Sequence, residues 1–452
     1  MNDYDAIKLT IDVCERADLL DLIVDLIETF HTSSVLPDNV LGNELLCYGY
    51  NKAKQFKLSV KYGEMALSQS TDINQSISIM SNLAKVYMSA NMPIKSLETY
   101  EYLIQNYGVE RNTLDYSAAL FANNKKQQSF EILSQLENES WKYDQILSDS
   151  ISFNMGIHYI RNGDFKSGMD HLHIGRNLKI FGSYASLSDL KEWNGKAKPN
   201  AHILMVSEGG IGDEIINVRF VHKLINLGFK CTLMTAHPTA NIYDHLPFER
   251  IITKAQYKAS DYDFWTPMMS LPKTLNLDFQ DLYDGPYLTC KNDYHNKFEN
   301  LVTGSFKVGL RWAGNPRYDH ELHRSLNLSS LLNSCDTEWA YYSLQRDIGL
   351  DQLENHNNVC DLSQELNTLD DLIGVIGNLD LVITSCTSVA HISAALGKTT
   401  IVLVPIMEYY IWAEGKEHSS WYGDNIYIIR QQSPESWTEA YLELTNLLKR
   451  IK

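Results

Sequence analysis

Two patterns of apolar residues divide this chain. Up to about residue 185 apolar positions recur at helical spacing with few prolines between them, which predicts a succession of antiparallel helix pairs. From 186 onward short apolar runs alternate with helical stretches, the arrangement that builds parallel sheets with right-handed helical crossovers. Strands are predicted at His202 to Ser207, Cys231 to Ala236, Asp263 to Pro267, Phe306 to Trp312, Trp339 to Gln345, Leu379 to Thr384 and Thr400 to Val404. A single helix from Glu214 to Leu227, stopped at Gly228, is predicted after the first of them. A break near 290 to 300 splits the strands into two sets.

The helical part carries an irregular repeat. Met155, Gly156, Tyr159, Gly163, Gly168, Leu172 and Gly175 stand where a tetratricopeptide repeat has its large and small contact positions and its inter-helix turn. Weaker copies fall around Leu83, Ala84, Tyr87, Ser96 and Tyr100, around Ser117, Leu120, Ser129 and Leu133, and around Cys47, Tyr50, Ser59 and Ala66. Small residues let two helices approach, and large ones fill the space between them. Such an array presents a concave surface to a peptide or partner protein, or else it buttresses the next domain. His171 and His173 point to opposite sides of a helix, so with His158 they read as packed or solvated side chains and not as metal ligands.

In the second part, two strand ends carry chemistry. Glu208-Gly-Gly-Ile-Gly-Asp213 follows the first strand. Gly209, Gly210 and Gly212 let backbone come close to a ligand, and Asp213 would point a carboxylate into a cleft, where partial desolvation fits it to take a proton from a hydroxyl. Asp213 would equally serve as the N-cap of a helix beginning at Glu214. Further on, Asp380 to Gly397 reads as strand, polar turn and glycine-closed helix, with the turn at Cys386, Thr387 and Ser388 and with His391 within one helical turn. Free N–H groups and the dipole at such a helix start favour a phosphate, so a phosphorylated ligand is expected. Two strand sets of this kind predict two Rossmann-like domains facing each other across a cleft at the carboxyl ends of both sheets.

Composition narrows the field. The 452 residues are 44% hydrophobic and 21% charged, as in ordinary globular proteins, and disorder is not expected to dominate. A formal net charge of −17 disfavours a nucleic-acid backbone as partner. Cysteines 14, 47, 231, 290, 335, 360 and 386 never fall in a C-x-x-C spacing, which argues against a zinc site or disulfide framework and for a reducing compartment. The acidic start Met-Asn-Asp-Tyr-Asp does not read as a signal peptide, and no apolar run reaches the roughly 20 residues of a membrane span. A cytoplasmic protein is expected.

Taken in order, Glu192-Trp193-Asn-Gly195, Glu208-Gly-Gly-Ile-Gly-Asp213, Met269-Ser-Leu-Pro272, Gly309-Leu-Arg-Trp-Ala-Gly-Asn-Pro316 with His323-Arg-Ser-Leu326, Ser343-Leu-Gln-Arg346 and Thr384-Ser-Cys-Thr-Ser-Val-Ala-His391 form a series. The series resembles the tetratricopeptide-repeat glycosyltransferases, relatives of the bacterial heptosyltransferases and, more distantly, of the protein O-GlcNAc transferase. The resemblance covers most of residues 186 to 452, with the helical repeats in front. It implies an α/β GT-B fold of two facing Rossmann-like domains preceded by an all-α repeat domain. The domains would be 1–185 (tetratricopeptide-like), 186–295 (acceptor side) and 296–452 (nucleotide-sugar donor side).

The resemblance further implies a metal-independent, inverting transfer of a hexose, pentose or heptose from a nucleoside diphosphate sugar to an acceptor hydroxyl, with no cofactor. Asp213 becomes the candidate base, and Cys386, Thr387, Ser388 and His391 the donor-diphosphate site. Without a metal, the charge on the departing phosphate needs fixed donors, for which Arg311, Arg324 and His391 are candidates. The arginines would otherwise make surface salt bridges. Gln345 could read the base or ribose or cap a loop, and Trp312, Tyr409, Tyr410 and Trp412 could stack on sugar or base or sit half-buried in the core. Asp261 and Asp263 are expected at a strand edge and not on a metal. Many members of that family have Asp where this chain has Cys386, which leaves the sugar open. The acceptor would be a protein or a glycan, with modified nucleic acid disfavoured. The alternatives are a non-catalytic scaffold that binds a partner protein through its repeats, and a nucleotide-sugar epimerase or phosphoribosyl-type enzyme. An epimerase would show G-x-G-x-x-G near the first strand, a spacing that Gly209, Gly210 and Gly212 do not keep.

Overall fold

The structure is a computed structural model that describes residues 3–33, 36, 38–111, 113–178, 187–196, 198–346 and 348–451. The boundary expected at 185 and 186 lies outside the described residues. The chain packs as two compact units, one of Met1–Leu136 with Pro316–His323 and Ser433–Ser436, the other of Glu137–Asn315, Arg324–Gln432 and Trp437–Lys452.

In the first unit the helices are Asp3–Arg16, Leu20–Thr32, Val40–Lys52, Phe56–Gln69, Ile73–Ser89, Pro93–Tyr107, Leu114–Ala122 and Lys126–Asn138. Side chains that accept from the first turn start several of them: Asn39 from Gly42 N–H, Asp72 from Gln75 N–H and Thr113 from Tyr116 N–H. Within each successive pair the two helices are linked by a short turn that includes a residue of positive φ, at Asp18, Lys54, Asn91 and Asn124. Across two of the pairs a buried serine donates to a carbonyl of its partner helix, Ser59 to Cys47 O and Ser96 to Ala84 O, each at 2.7 Å. That bond lets the backbones close up without leaving a hydroxyl unpaired. Ile11, Ile23, Ile27, Leu45 and Leu46 have no exposed surface, and each such burial is worth about 1.5–3 kcal/mol.

The second unit opens with the helices Gln145–Arg161 and Phe165–Ile174. Their backbones approach closely, since a Cβ on Gly156 would stand 3.0 Å from Gly168 O. Two parallel sheets follow. The strands are β1 (His202–Val206), β2 (Lys230–Met234), β3 (Arg250–Ile252), β4 (Phe264–Pro267), β5 (Lys307–Arg311), β6 (Ala340–Ser343), β7 (Val359–Asp361), β8 (Leu381–Ser385), β9 (Thr400–Val404) and β10 (Ile426–Arg430). The first sheet has the order β3-β2-β1-β4 and the second β10-β9-β8-β5-β6-β7, with every pairing parallel. In each sheet the strand order reverses once, beside β1 in the first and between β5 and β8 in the second. Open parallel sheets form their ligand crevices at such points.

A single hydrophobic core joins Ile203, Met205 and Leu233 of the first sheet to Val382, Val402 and Ile428 of the second, and takes in Phe165 and Leu172 of the helix pair. A second core, from Val308 to Leu448, fills the other face of the larger sheet. Three strands were not anticipated: β3 and β7 span only three residues each, too few for a pattern, and β10 lies beyond the last motif. The helix expected from Glu214 to Leu227 is instead two, Ile211–Val218 and Val221–Asn226, broken at Arg219 and Phe220. Among the described residues no helix is long and apolar enough to cross a membrane.

Candidate functional site

The turn after β1 is shaped by its glycines. Gly209 has φ +68°, and a Cβ there would fall 2.4 Å from Asp213 Oδ2, so a side chain here would strain the backbone and displace this carboxylate. Gly210 caps the helix with extended backbone, and Ile211 is its first residue. Asp213 is therefore not the N-cap but the third helical residue, folding back so that Oδ2 accepts Gly210 N–H at 2.7 Å. Its other oxygen accepts the Tyr409 hydroxyl, also at 2.7 Å. The residue keeps part of its surface open, yet protein crowds the carboxylate, and desolvation raises its pKa against the opposing pull of Tyr409, Gly210 N–H and the nearby His237. A carboxylate so placed is a stronger base than an ordinary aspartate while still ionised.

The turn after β8 has the same build. Cys386 and Thr387 lead into the helix Ser388–Ala395, and Thr387 is its extended N-cap. The Thr387 side chain makes no capping bond; its hydroxyl lies 3.3 Å from that of Thr384. Two turns of chain are thus brought face to face: a Cβ on Gly212 would stand 3.6 Å from Ser388 Cα and 3.0 Å from His391 Cδ2. His391 is buried, stacked on Trp412 at 5.2 Å between ring centroids, with Nδ1 3.0 Å from the Tyr422 hydroxyl. Burial, with Arg219 and Arg324 nearby, pulls its pKa down to about 3, so the imidazole is neutral at ordinary pH. Arg324 donates from Nη1 to Cys386 O at 2.7 Å, holding the outer side of this turn.

Asp213, Gly209, Gly210, Gly212, Tyr409, Cys386, Thr387, Ser388, His391 and Arg324 therefore converge. Other expected ligand contacts do not. Trp312 is fully buried, with its indole N–H bonded to Gly349 O at 3.0 Å, and offers no ring face to a ligand. Gln345 is equally buried and caps the same loop: its side-chain oxygen accepts from Trp312 N–H and Ala313 N–H at 3.2 Å each. Tyr410 and Trp412 lie inside the core, the latter against His391, so neither stacks on a ligand. Tyr409 meets Asp213 through its hydroxyl, a role that stacking did not anticipate. Arg311 bonds carbonyls around its own loop, Ala313 O at 2.8 Å and Leu344 O at 2.7 Å, which fixes the strand end. Asp263 is at a strand edge as expected, on Lys198 and His202 N–H.

Several residues around the site escaped the sequence reading. Arg219 is buried at the helix break, donating to Ile216 O (2.7 Å), Leu282 O (3.3 Å), Trp421 O and the Tyr287 hydroxyl (2.7 Å). Its guanidinium lies 4.3 Å and 4.6 Å from the Tyr287 and Tyr422 ring centres. The signal was there, since an arginine inside Ile-Ile-Asn-Val-Arg-Phe-Val has no polar face to occupy. Glu208, before the glycines, is buried on Arg176 at 3.0 Å and Met269 N–H at 3.3 Å, and burial raises its pKa. Glu214 accepts the hydroxyls of Thr235 (2.7 Å) and Thr239, and so orders the loop that sets His237 Nε2 3.2 Å from Gly209 O. Among the described residues no group of three or more His, Cys, Asp or Glu is placed to share a metal ion.

The sequence matches no family model and no curated protein. Similar solved structures include a family 9 glycosyl transferase from Veillonella parvula DSM 2008, at 10% identity and TM-score 0.42, covering 56% of this chain and 100% of that one. The E. coli ADP-heptose lps heptosyltransferase II is similar at 13% identity and TM-score 0.41, over 55% of this chain and 98% of that one. A mutant of the Thermobaculum terrenum O-GlcNAc transferase, at 10% identity and TM-score 0.36, covers 100% of this chain and 92% of that one. At these identities the chemistry has to come from the site's own residues.

Proposed function

We propose that the protein is a GT-B glycosyltransferase that moves a sugar from a nucleoside diphosphate sugar to an acceptor hydroxyl, with inversion and without a metal. The observation that carries this reading is the meeting of a desolvated carboxylate, Asp213, with the uncapped helix start at Ser388 across the switch points of two parallel sheets. The donor diphosphate would lie on the backbone N–H groups that open the helix Ser388–Ala395, where the dipole favours an anion. Arg324 and the neutral His391 flank that position.

In the reaction Asp213 takes the proton of the acceptor hydroxyl as its oxygen attacks the anomeric carbon from the face opposite the diphosphate. The bond from that carbon to the phosphate oxygen breaks, and the electron pair leaves with the diphosphate. Fixed donors at the helix start offset the charge that builds there. Tyr409 and Gly210 N–H each occupy one Asp213 oxygen and fix the direction of the remaining lone pairs. The acceptor is a protein or a glycan, and the helical unit would hold a polypeptide partner. The seven cysteines form no disulfide, and a reducing, cytoplasmic setting is part of this reading.

Calorimetric titration with UDP, GDP, ADP and CDP, then donor hydrolysis assays with the matching sugars in EDTA, tests the reading. One of the four nucleotides should bind, and its sugar should turn over with the chelator present. Absence of binding by all four would remove the proposal, and a need for divalent metal would remove its metal-free part.

A further inference from the structure

Behind the buried imidazole of His391 runs a chain of polar contacts that the proposed reaction does not use. Arg219 Nη2 donates to the Tyr287 hydroxyl at 2.7 Å, and that hydroxyl donates to Ile215 O at 2.9 Å. Tyr422 lies next in line, sealed in the core with the Arg219 guanidinium 4.6 Å from its ring centre. Its hydroxyl stands 3.0 Å from His391 Nδ1. That last bond has one proton to share, and the atom that carries it decides what the far side of the imidazole can do.

Two observations place the proton on Tyr422. Were it on Nδ1, the Tyr422 proton would need another acceptor, and the neighbouring oxygen is that of Tyr287. That oxygen already takes the Arg219 N–H, which makes it a poorer acceptor than a bare imidazole nitrogen. Arg219 also acts on the ring itself: of the two guanidinia that disfavour a charged His391 it has the larger effect, and it lies on the Tyr422 side. A positive charge there favours a lone pair facing it, and so the tautomer with Nδ1 bare. The proton of the neutral ring is then on Nε2. This edge faces the other turn, since a Cβ on Gly212 would stand 3.0 Å from Cδ2 and 3.7 Å from Nε2. Among the described residues Nε2 has no partner.

We infer that Tyr422 is a positioning residue that holds His391 in its Nε2–H form, so that this ring presents a standing, neutral hydrogen-bond donor to a phosphate oxygen at the start of the helix Ser388–Ala395. The tautomer stands on the packing behind the ring, whereas the identity of the ligand rests on the proposed function. Because the ring stays neutral, it gives a hydrogen bond and not a proton. The diphosphate then departs as an anion held by Nε2–H, and Asp213 is the group that gains a proton.

Long-range proton–nitrogen correlation on the full chain with isotopically labelled histidine separates protonated from bare ring nitrogens, and the signal lost in His391→Gln assigns this ring. The wild type should show Nε2–H and a bare Nδ1, unchanged from about pH 6 to pH 8. Nδ1–H overturns the inference. Tyr422→Phe keeps the aromatic ring and removes the one donor to Nδ1, so an Nδ1–H form should appear beside the first; an unaltered spectrum means that Tyr422 does not set the tautomer. Should that variant not fold, Tyr287→Phe replaces it. The Tyr422 hydroxyl is then spared, so Nε2–H should persist, and its loss would show that Tyr287 decides where the proton sits. The donor role is read by calorimetry with UDP, GDP, ADP and CDP. The carboxamide of His391→Gln reaches as far as Nε2, and that of His391→Asn only as far as Nδ1. The best-binding nucleotide should therefore stay within about threefold of wild type in the first and weaken about tenfold in the second, the loss of one hydrogen bond to a charged group. Equal loss in both overturns the donor role. Absence of nucleotide binding by the wild type defeats the proposed function, while the spectrum still decides the tautomer.

Discussion

The turn after β1 and the turn after β8 share one backbone plan, a strand end, a few small residues and an eight-residue helix, but their helix starts are filled differently. The first is filled from within: Asp213 bonds the Gly210 N–H and takes the favourable end of the dipole for itself. At the second, Thr387 spends its hydroxyl on Thr384 and no side chain caps the helix. One helix start is thereby committed to a carboxylate that can accept a proton, and the other is open to an anion from outside. In the proposed reaction, the division of labour between base and leaving-group site would follow from which turn supplies its own negative charge.

The largest expected effect comes from removing that charge. Asp213→Asn keeps the size and one acceptor oxygen, so nucleoside diphosphate affinity in calorimetry should stay near wild type while sugar transfer drops by about 10²–10⁴-fold; transfer within threefold of wild type would exclude Asp213 as base. Making the second turn resemble the first should be the next most damaging change. Thr387→Asp places a good capping side chain where none now caps the helix, so the fold should hold, but its carboxylate occupies the anion position and nucleotide affinity should fall by about tenfold or more. Unchanged affinity would place the diphosphate elsewhere.

A smaller shift is expected from Tyr409→Phe. The hydroxyl stabilises ionised Asp213, so its loss raises an already elevated pKa. Because the proposed transfer requires the carboxylate, the acidic limb of kcat/KM should move to higher pH, with activity lost first at low pH and little changed well above the limb. A limb that stays in place, or moves down, would show that the two groups are not coupled. Smallest of all, Gly212→Ala should tighten the meeting of the two turns. Alanine favours a helix, but its Cβ would sit 3.0 Å from His391 Cδ2, on a ring that cannot give way against Trp412. A fall in Tm of a few degrees, about 1 kcal/mol, is expected by thermal unfolding, and a rise would mean that His391 yields.

Much of the frame was legible because spacing alone encodes it. Ser59 and Ser96 stood out as small positions between large ones, and each does close a helix pair. Glycines before Asp213 and a hydroxyl turn before His391 marked the two strand ends, since those residue types have few other reasons to cluster there. What spacing cannot encode is the direction of a side chain after a strand. Trp312 and Gln345 sit at strand ends like cleft residues, yet both turn inward to tie one loop, and only the Gly349 carbonyl across that loop reveals it. Nor does sequence show partners far along the chain: Tyr409 to Asp213 and Arg219 to Trp421 each join residues that no local pattern relates. Helix boundaries failed for a related reason. A carboxylate at the third helical residue that bonds back to the cap reads in sequence much like a cap itself.

Arg219 ties the helix after β1 to distant parts of the chain at Leu282 and Trp421. Its guanidinium is sealed among carbonyls and aromatic rings, where added salt does not reach. Leu282 O and Trp421 O thus remain tied to the Ile211–Val218 helix under conditions that would loosen a surface ion pair. With that rivet closed and one core running through both sheets, hinge opening would expose a dry charge. Opening of the two sheets about a hinge is therefore disfavoured at any ionic strength.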